Sequence, residues 1–187
     1  MNTRVKGFIY LLLSAVYFGF MPLLVKVICA DGSTIVGALF LRFALAIIPL
    51  YIYLKVRKVP IELSVEEGKK ILCVTVFGYG ITALLLYSAY DYMPSGMATV
   101  IHFGYPVFVL LGSLIFLRRR VPKLKIVCVG LCMIGIFLSY AGSGGEAKPM
   151  GFVFALISGM TYAFYILYLE VGGLQDIPAM KMIFYMN

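Results

Sequence analysis

The chain has 187 residues, 63% of them hydrophobic and 13% charged, and its mean hydropathy is +1.01. A soluble core of this size cannot bury so much apolar surface, so the composition excludes a water-soluble globular protein and indicates a membrane protein. The net charge of +8 does not indicate a nucleic-acid partner, because the basic residues lie in short gaps between apolar runs and not on a soluble face. The lipid bilayer is therefore an expected partner, and nucleic acid is not.

Six apolar runs are each long enough to cross a bilayer as a helix, since about 20 residues rising 1.5 Å each match the roughly 30 Å hydrocarbon layer. A seventh run begins near Pro178 and continues to Asn187. The predicted fold class is an all-α membrane protein, a multi-span helical bundle. The predicted spans run from Gly7 to Ile28, Thr34 to Leu54, Ile71 to Tyr92, Gly96 to Leu117, Leu124 to Tyr140 and Gly151 to Leu169.

Lys and Arg residues are concentrated in alternate gaps between these spans. Most of the 16 precede span one, lie between spans two and three, or lie between spans four and five, where Arg118, Arg119 and Arg120 end the fourth run. The opposite gaps up to span six hold only Lys26 and Lys148. Because cytoplasmic loops carry the excess of positive charge, we expect a multi-pass protein of the plasma membrane, of the bacterial inner-membrane type, with its N-terminus in the cytoplasm.

The sequence lacks the signatures of common enzyme and metal sites. It contains no GxSxG, HExxH or P-loop motif, and no pair of acidic residues occurs within a span. Its four cysteines lie in or beside apolar runs without CxxC spacing, which is typical of small packing residues. We therefore expect a protein that is not an enzyme, with no metal site and no cofactor.

Span one and span six resemble each other at a constant offset of 144 residues, the difference between Gly151 and Gly7. Over Gly7–Lys26 and Gly151–Glu170, matched Gly and Ser positions recur together with apolar ones. The alternative is that any two apolar helices resemble each other by composition alone. The identical pairs are Gly7 and Gly151, Phe8 and Phe152, Leu12 and Leu156, Ser14 and Ser158, Phe20 and Phe164, and Leu23 and Leu167.

A true repeat at this offset has two consequences. Five spans separate the starts of the two copies, so the second copy enters the membrane from the opposite side, as in the inverted repeats of many secondary transporters. The second copy also stops at the equivalent of Phe43, so the chain is expected to be a fragment. We predict a first five-helix repeat over residues 1–141, an extracytoplasmic linker over residues 142–150, and the truncated start of a second repeat over residues 151–187.

Span four carries a histidine and a proline in its first half. Pro106 has no N–H and its ring presses on the preceding turn, so the carbonyl of His102 loses its helical partner and the helix is expected to bend. With Thr99 and Tyr105 at helical spacing, these polar groups require partners or a water-lined cavity. His102 and Tyr105 are therefore candidates for binding substrate, and the imidazole also for exchanging a proton. The alternative is a His102 hydrogen-bonded to a neighbouring helix, with Pro106 giving a fixed bend.

Span three carries a stripe of tyrosine and threonine residues at helical spacing. A phenol presents an apolar ring and a hydrogen-bonding tip, which suits amphiphilic ligands. Tyr79 and Tyr87 are the candidates for binding substrate, whereas Tyr90, near the membrane boundary, is interpreted as an interfacial aromatic. Span six adds Tyr162 and Tyr165.

Arg42 lies about eight residues into span two, about 12 Å by helical rise. An arginine within the membrane is costly and marks a functional site by default, where it could bind a substrate carboxylate. The alternative is an Arg42 that pairs with a neighbouring carbonyl or extends outward to the interface.

Three stretches of the chain are similar in order and spacing to one family of membrane proteins. They are Tyr17–Gly19 in span one, Phe40–Ala46 with its internal arginine in span two, and Tyr87–Leu117, which leads from span three through span four. With these motifs the chain resembles, over its whole length, the EamA-type transporters of the drug/metabolite transporter superfamily. It departs from the family pattern in having Tyr17 where a Trp is common and Arg118 where the fourth span usually ends in Glu.

The resemblance implies the first five-helix half of an inverted-repeat, ten-helix transporter plus the start of the second half, with a central cavity. It also implies movement of small metabolites such as amino acids, often outward. We predict a secondary transporter that works by alternating access, with a cavity lined by spans one, three, four and six. The alternative is a non-transporting half-protein that acts by pairing with another membrane protein.

The expected partners besides lipid are a small-molecule substrate and either the missing C-terminal half or a second copy of the chain. Pro106 is expected to bend span four. The candidate substrate-binding residues are His102, Tyr79, Tyr87, Tyr105, Tyr17, Tyr162 and Arg42.

Overall fold

The computed structural model describes residues 3–118, 121–142 and 148–187. Their regular structure is helical throughout. Arg119, Arg120 and most of the 142–150 linker, which the topology and domain predictions use, lie outside the described residues. The helices are α1 (Thr3–Ala30), α2 (Ile35–Val56), α3 (Val65–Cys73), a π-helical segment (Val74–Gly80), α4 (Ile81–Ala89), α5 (Ser95–His102), α6 (Tyr105–Ile115), α7 (Lys123–Ala141), α8 (Pro149–Val171) and α9 (Ala179–Met186).

Six helical stretches within these residues are long and apolar enough to cross a membrane. α1 and α2 form spans one and two, α3 to α4 form span three, α5 to α6 form span four, and α7 and α8 form spans five and six. This confirms the prediction of an all-α, multi-span membrane protein.

Span three begins earlier than the apolar run predicts, at Val65 and not at Ile71. Ser64 and Glu67 form a capping box at its start: the Ser64 N–H donates to Glu67 Oε2 at 2.8 Å, and the Glu67 N–H donates to Ser64 Oγ at 3.2 Å. Because this exchange satisfies backbone donors of the first turn, the helix can begin among polar residues.

Span four is two helices, not the continuous helix that its apolar run predicts. α5 ends at His102, Phe103 and Gly104 form a turn, and α6 starts at Tyr105. Pro106 lies in the first turn of α6, where its missing N–H costs no helical hydrogen bond. The expected bend is therefore a break in the helix, and it lies beside the imidazole of His102.

Helix α8 lies at the centre of the bundle, packed against α4, the π-helical segment, α5 and α6. Its small residues Ala155, Gly159 and Ala163 are buried, which permits close approach of the neighbouring helices. At Gly159 an added Cβ would lie 3.1 Å from the carbonyl oxygen of His102. The carbonyl that Pro106 leaves without a helical partner thus faces α8.

The gaps between spans lie at two ends of the bundle, as an alternating topology requires. At one end the Lys148 N–H donates to the carbonyl oxygen of Tyr92 at 3.0 Å, joining the segment before α8 to the end of span three. At the other end Lys181 Nζ donates to the carbonyl oxygen of Glu62 at 2.5 Å. The start of α9 is thereby fastened to the gap between spans two and three.

Replacing Lys181 by Met is expected to loosen α9. Lys181 is 8% exposed, and a hydrogen bond from a charged donor stabilises by about 1.5–3 kcal/mol, a contribution that Met cannot replace. Amide hydrogen exchange in α9 should become about tenfold faster or more. The same change at the exposed Lys69 should have no effect, and unchanged exchange in Lys181→Met would show that apolar contacts alone hold α9.

Candidate functional site

A cavity of about 890 Å³ opens among five of the six spans. The prediction placed spans one, three, four and six around it, and the structure adds span two through Arg42. Its volume lies within the roughly 300–1,000 Å³ that is typical of small-molecule sites. Six of the seven candidate residues line it: His102, Tyr79, Tyr87, Tyr105, Tyr162 and Arg42.

The guanidinium of Arg42 is held by side chains of span three. Nη1 donates to Tyr87 Oη at 2.8 Å, and Nη2 donates to Tyr79 Oη at 2.9 Å. The guanidinium carbon also lies 5.4 Å from the ring centroid of Phe43, within the range of a cation–π contact. Arg42 thus contacts phenols inside the bundle, and not a neighbouring carbonyl or the membrane interface.

His102 lies at the end of α5 with 3% of its surface exposed, and its ring lines the cavity. Its Nδ1 lies 2.9 Å from Ser158 Oγ, and that hydroxyl donates its single hydrogen to the carbonyl oxygen of Ala155 at 2.6 Å. With that hydrogen on the Ala155 carbonyl, Nδ1 is assigned as the donor to Ser158, which leaves Nε2 of the neutral ring as an acceptor. His102 is both hydrogen-bonded to a neighbouring helix and part of the cavity wall, so the two interpretations of the sequence are compatible.

A series of rings joins His102 to Arg42. The distances between ring centroids are 5.3 Å from His102 to Tyr162, 5.4 Å from Tyr162 to Tyr165, and 6.3 Å from Tyr165 to Tyr79, whose hydroxyl accepts from Arg42. We call the rings of His102, Tyr162, Tyr165 and Tyr79 the aromatic wall; those of His102, Tyr162 and Tyr79 line the cavity, and Tyr165 lies between the latter two. Rings at these separations offer faces and edges to a flat apolar ligand.

Span three and α8 are in direct contact at Thr82, which itself lines the cavity, and at Gly78. Thr82 Oγ1 lies 2.6 Å from Thr161 Oγ1 and also donates to the carbonyl oxygen of Gly78. A Cβ added at Gly78 would lie 2.8 Å from the Cβ of Tyr165. The close approach of the two helices therefore fixes the position of the wall.

Two tyrosines have surroundings that the sequence did not indicate. Tyr17, a candidate for binding substrate, is 74% exposed on α1 and is not among the described residues that line the cavity. Ser14 and Phe18 of the same helix line the cavity. Tyr90, interpreted as interfacial, is buried, and its hydroxyl lies 3.4 Å from Thr99 Oγ1.

Sequence reasoning missed Ser158 and Phe18 as parts of the site. The repeat contained a signal for both, because Ser158 is the equivalent of Ser14 and Phe18 is the equivalent of Tyr162. Ser14, Phe18 and Tyr162 line the cavity, and Ser158 fixes the ring of His102. Positions that the predicted repeat pairs with each other thus meet at the same site.

The chain is similar to membrane transporters over most of its length. A family model described as the EamA-like transporter family matches residues 5–141. An uncharacterized transporter of Clostridium kluyveri is 23% identical over 171 residues, which cover 86% of this chain and 54% of the relative. An uncharacterized transporter of Archaeoglobus fulgidus is 29% identical over 149 residues, which cover 78% of this chain and 52% of the relative. The chain spans about half the length of these curated relatives, and no solved structure shows a significant match.

Proposed function

We propose that this chain, which belongs to the EamA-like transporter family, acts in the plasma membrane as a secondary transporter that exports small metabolites, such as amino acids, by alternating access. The observation that carries the proposal is the cavity of about 890 Å³, which holds a guanidinium, an imidazole and hydroxyl groups inside an apolar bundle. Polar groups at membrane depth mark a substrate or ion pathway by default. The distribution of Lys and Arg supports a cytoplasmic N-terminus.

An inverted repeat would supply a second wall for the cavity. α8, the first helix of the second copy, packs against spans three and four of the first copy. By the symmetry of such a repeat, α1 packs in the same way against equivalents of those spans. The exposure of Tyr17 supports this arrangement, because Tyr17 is the equivalent of Thr161, which contacts Thr82 of span three. We propose that the equivalent spans come from a C-terminal half or from a second copy of the chain.

Transport by the purified chain in proteoliposomes tests the proposal. Labelled amino acids, or the monocarboxylic acids with the same side chains, should cross the membrane faster than in empty liposomes. Ala15→Phe fills the cavity from α1 and should abolish this difference, whereas Val16→Phe places the same ring on the exposed face of α1 and should retain it. Transport that Ala15→Phe leaves unchanged would contradict the assignment of the cavity. No transport by the chain alone would exclude a second copy as the source of the second wall, and would leave either a C-terminal half or the alternative of a half-protein that acts by pairing.

A further inference from the structure

We infer that the substrate of this cavity is an organic monocarboxylate with a flat apolar body and no ammonium group. The inference rests on the proposed function, because it names the substrate class of the same site. In this arrangement the carboxylate binds Arg42 and the apolar body lies along the aromatic wall. Among the small metabolites of the proposed function, the expected substrates are therefore monocarboxylates and not zwitterionic amino acids of the same shape.

The part of the cavity that the described residues line carries a positive charge without a counter-ion. Among the described residues that line it, Arg42 is the only one with a permanent charge, and none is Asp or Glu. The hydroxyls that accept from Arg42, those of Tyr79 and Tyr87, belong to neutral phenols. A guanidinium inside the membrane without a counter-ion is costly, and an anion bound in the cavity offsets that cost. The site therefore favours a ligand with net negative charge.

Arg42 is also oriented to receive a carboxylate. A guanidinium carries five N–H groups in a planar fork, and the two phenols accept one from each Nη. Because both ends of the fork are held, the guanidinium has lost rotational freedom before a ligand arrives. Its other N–H groups have no hydrogen-bond acceptor among the described residues and can donate to both oxygens of a carboxylate. A neutral amide offers one oxygen and no charge.

An ammonium group finds no comparable partner near Arg42. The rings that could hold a cation there are already used, since the guanidinium carbon lies 5.4, 5.8 and 6.0 Å from the ring centroids of Phe43, Tyr79 and Tyr87. A second positive charge beside Arg42 is repelled. A zwitterionic amino acid would therefore lose the hydration of its ammonium group without an ion-pair partner in this part of the chain.

Four ligands of one shape test the inference on the wild-type chain. 3-Phenylpropionate, its primary amide, phenylalanine and phenethylamine share the same ring and differ in charge. Calorimetric titration of the detergent-solubilised chain should show that 3-phenylpropionate binds most tightly and that phenylalanine and the amide bind about tenfold more weakly or worse. Phenylalanine binding as tightly as 3-phenylpropionate would overturn the inference and leave the cavity as the proposed substrate site. Failure of all four to bind would overturn the inference and that site together.

Substitutions of Arg42 test whether its guanidinium binds the carboxylate of the ligand. Arg42→Gln should weaken binding of 3-phenylpropionate about 10- to 100-fold, to the level of the amide, and Arg42→Lys, which keeps the charge without the fork, should lie between. The matched control is Arg57→Gln, which neutralises an exposed arginine of the gap after α2 and should bind as wild type. Wild-type binding in Arg42→Gln would overturn the inference. If Arg42→Gln does not fold, the Lys variant and the ligand ranking on the wild type decide the question.

Discussion

Replacing His102 by Ala is expected to lower the initial rate of transport about tenfold or more while the chain remains folded. The change removes the first ring of the aromatic wall and the Nε2 acceptor. Ser158 Oγ keeps its hydrogen bond to the carbonyl of Ala155, so no buried donor is left unsatisfied. The vacated volume joins the existing cavity, so the loss of stability should be small. Initial rates in proteoliposomes, measured beside thermal melting of the same preparations, check both expectations.

The matched change is Ser158→Ala, which alters the other partner of the hydrogen bond between His102 Nδ1 and Ser158 Oγ. It retains the imidazole but removes the acceptor of the Nδ1–H group, and a buried donor left unsatisfied costs about 1–3 kcal/mol. We expect Ser158→Ala to melt at a lower temperature than His102→Ala and to transport faster. Wild-type transport in His102→Ala would show that the histidine only fastens α5 to α8.

A second large effect is expected at Gly78, where span three meets α8. An added Cβ would lie 2.8 Å from the Cβ and 3.2 Å from the Cα of Tyr165, atoms that cannot move without the helix that carries them. Gly78→Ala should therefore push α8 outward, at a cost of about 1–3 kcal/mol. Because Tyr79 packs against Tyr165, the phenol that holds Arg42 should shift as well. Both the melting temperature and ligand binding should fall.

The control for this change is Gly130→Ala in α7. Apart from its own helix backbone, an added Cβ there meets no described atom within 4 Å. Binding should therefore match the wild type, and the melting temperature should not fall, because Ala favours a helix more than Gly does. If Gly78→Ala also melted and bound as wild type, span three and α8 would have to lie further apart than the structure places them.

The spans were predictable from the sequence because, in a membrane, the length of an apolar run largely decides whether a helix crosses. Their ends and internal breaks depend on other signals. The early start of span three was readable from Ser64 and Glu67, a capping-box spacing that an apolar count ignores. The break at Phe103 and Gly104 was not, because Pro106 indicates a lost helical hydrogen bond but not the position of α8 beside it.

The sequence predicted several residues of the site, but not which side chains they contact. An arginine within an apolar run identifies Arg42, yet its contacts with Tyr79 and Tyr87 depend on how span two packs on span three. They also depend on the π-helical segment, whose wider turns help to set where Tyr79 lies on span three. Tyr17 was misplaced because the resemblance identified its position along the chain and not the face of α1 on which it lies.

If the cavity is the substrate site, water and substrate must reach it within the membrane, and thiol labelling measures both. In a chain whose four cysteines are replaced by Ala, Ser14→Cys places a thiol on the cavity wall and Val16→Cys places one on the exposed face of the same helix. A hydrophilic maleimide should label Ser14→Cys faster than Val16→Cys, and a transported ligand should slow the labelling of Ser14→Cys alone. Equal labelling at the two positions, or labelling of Ser14→Cys that no transported ligand slows, would show that this cavity is not the substrate site.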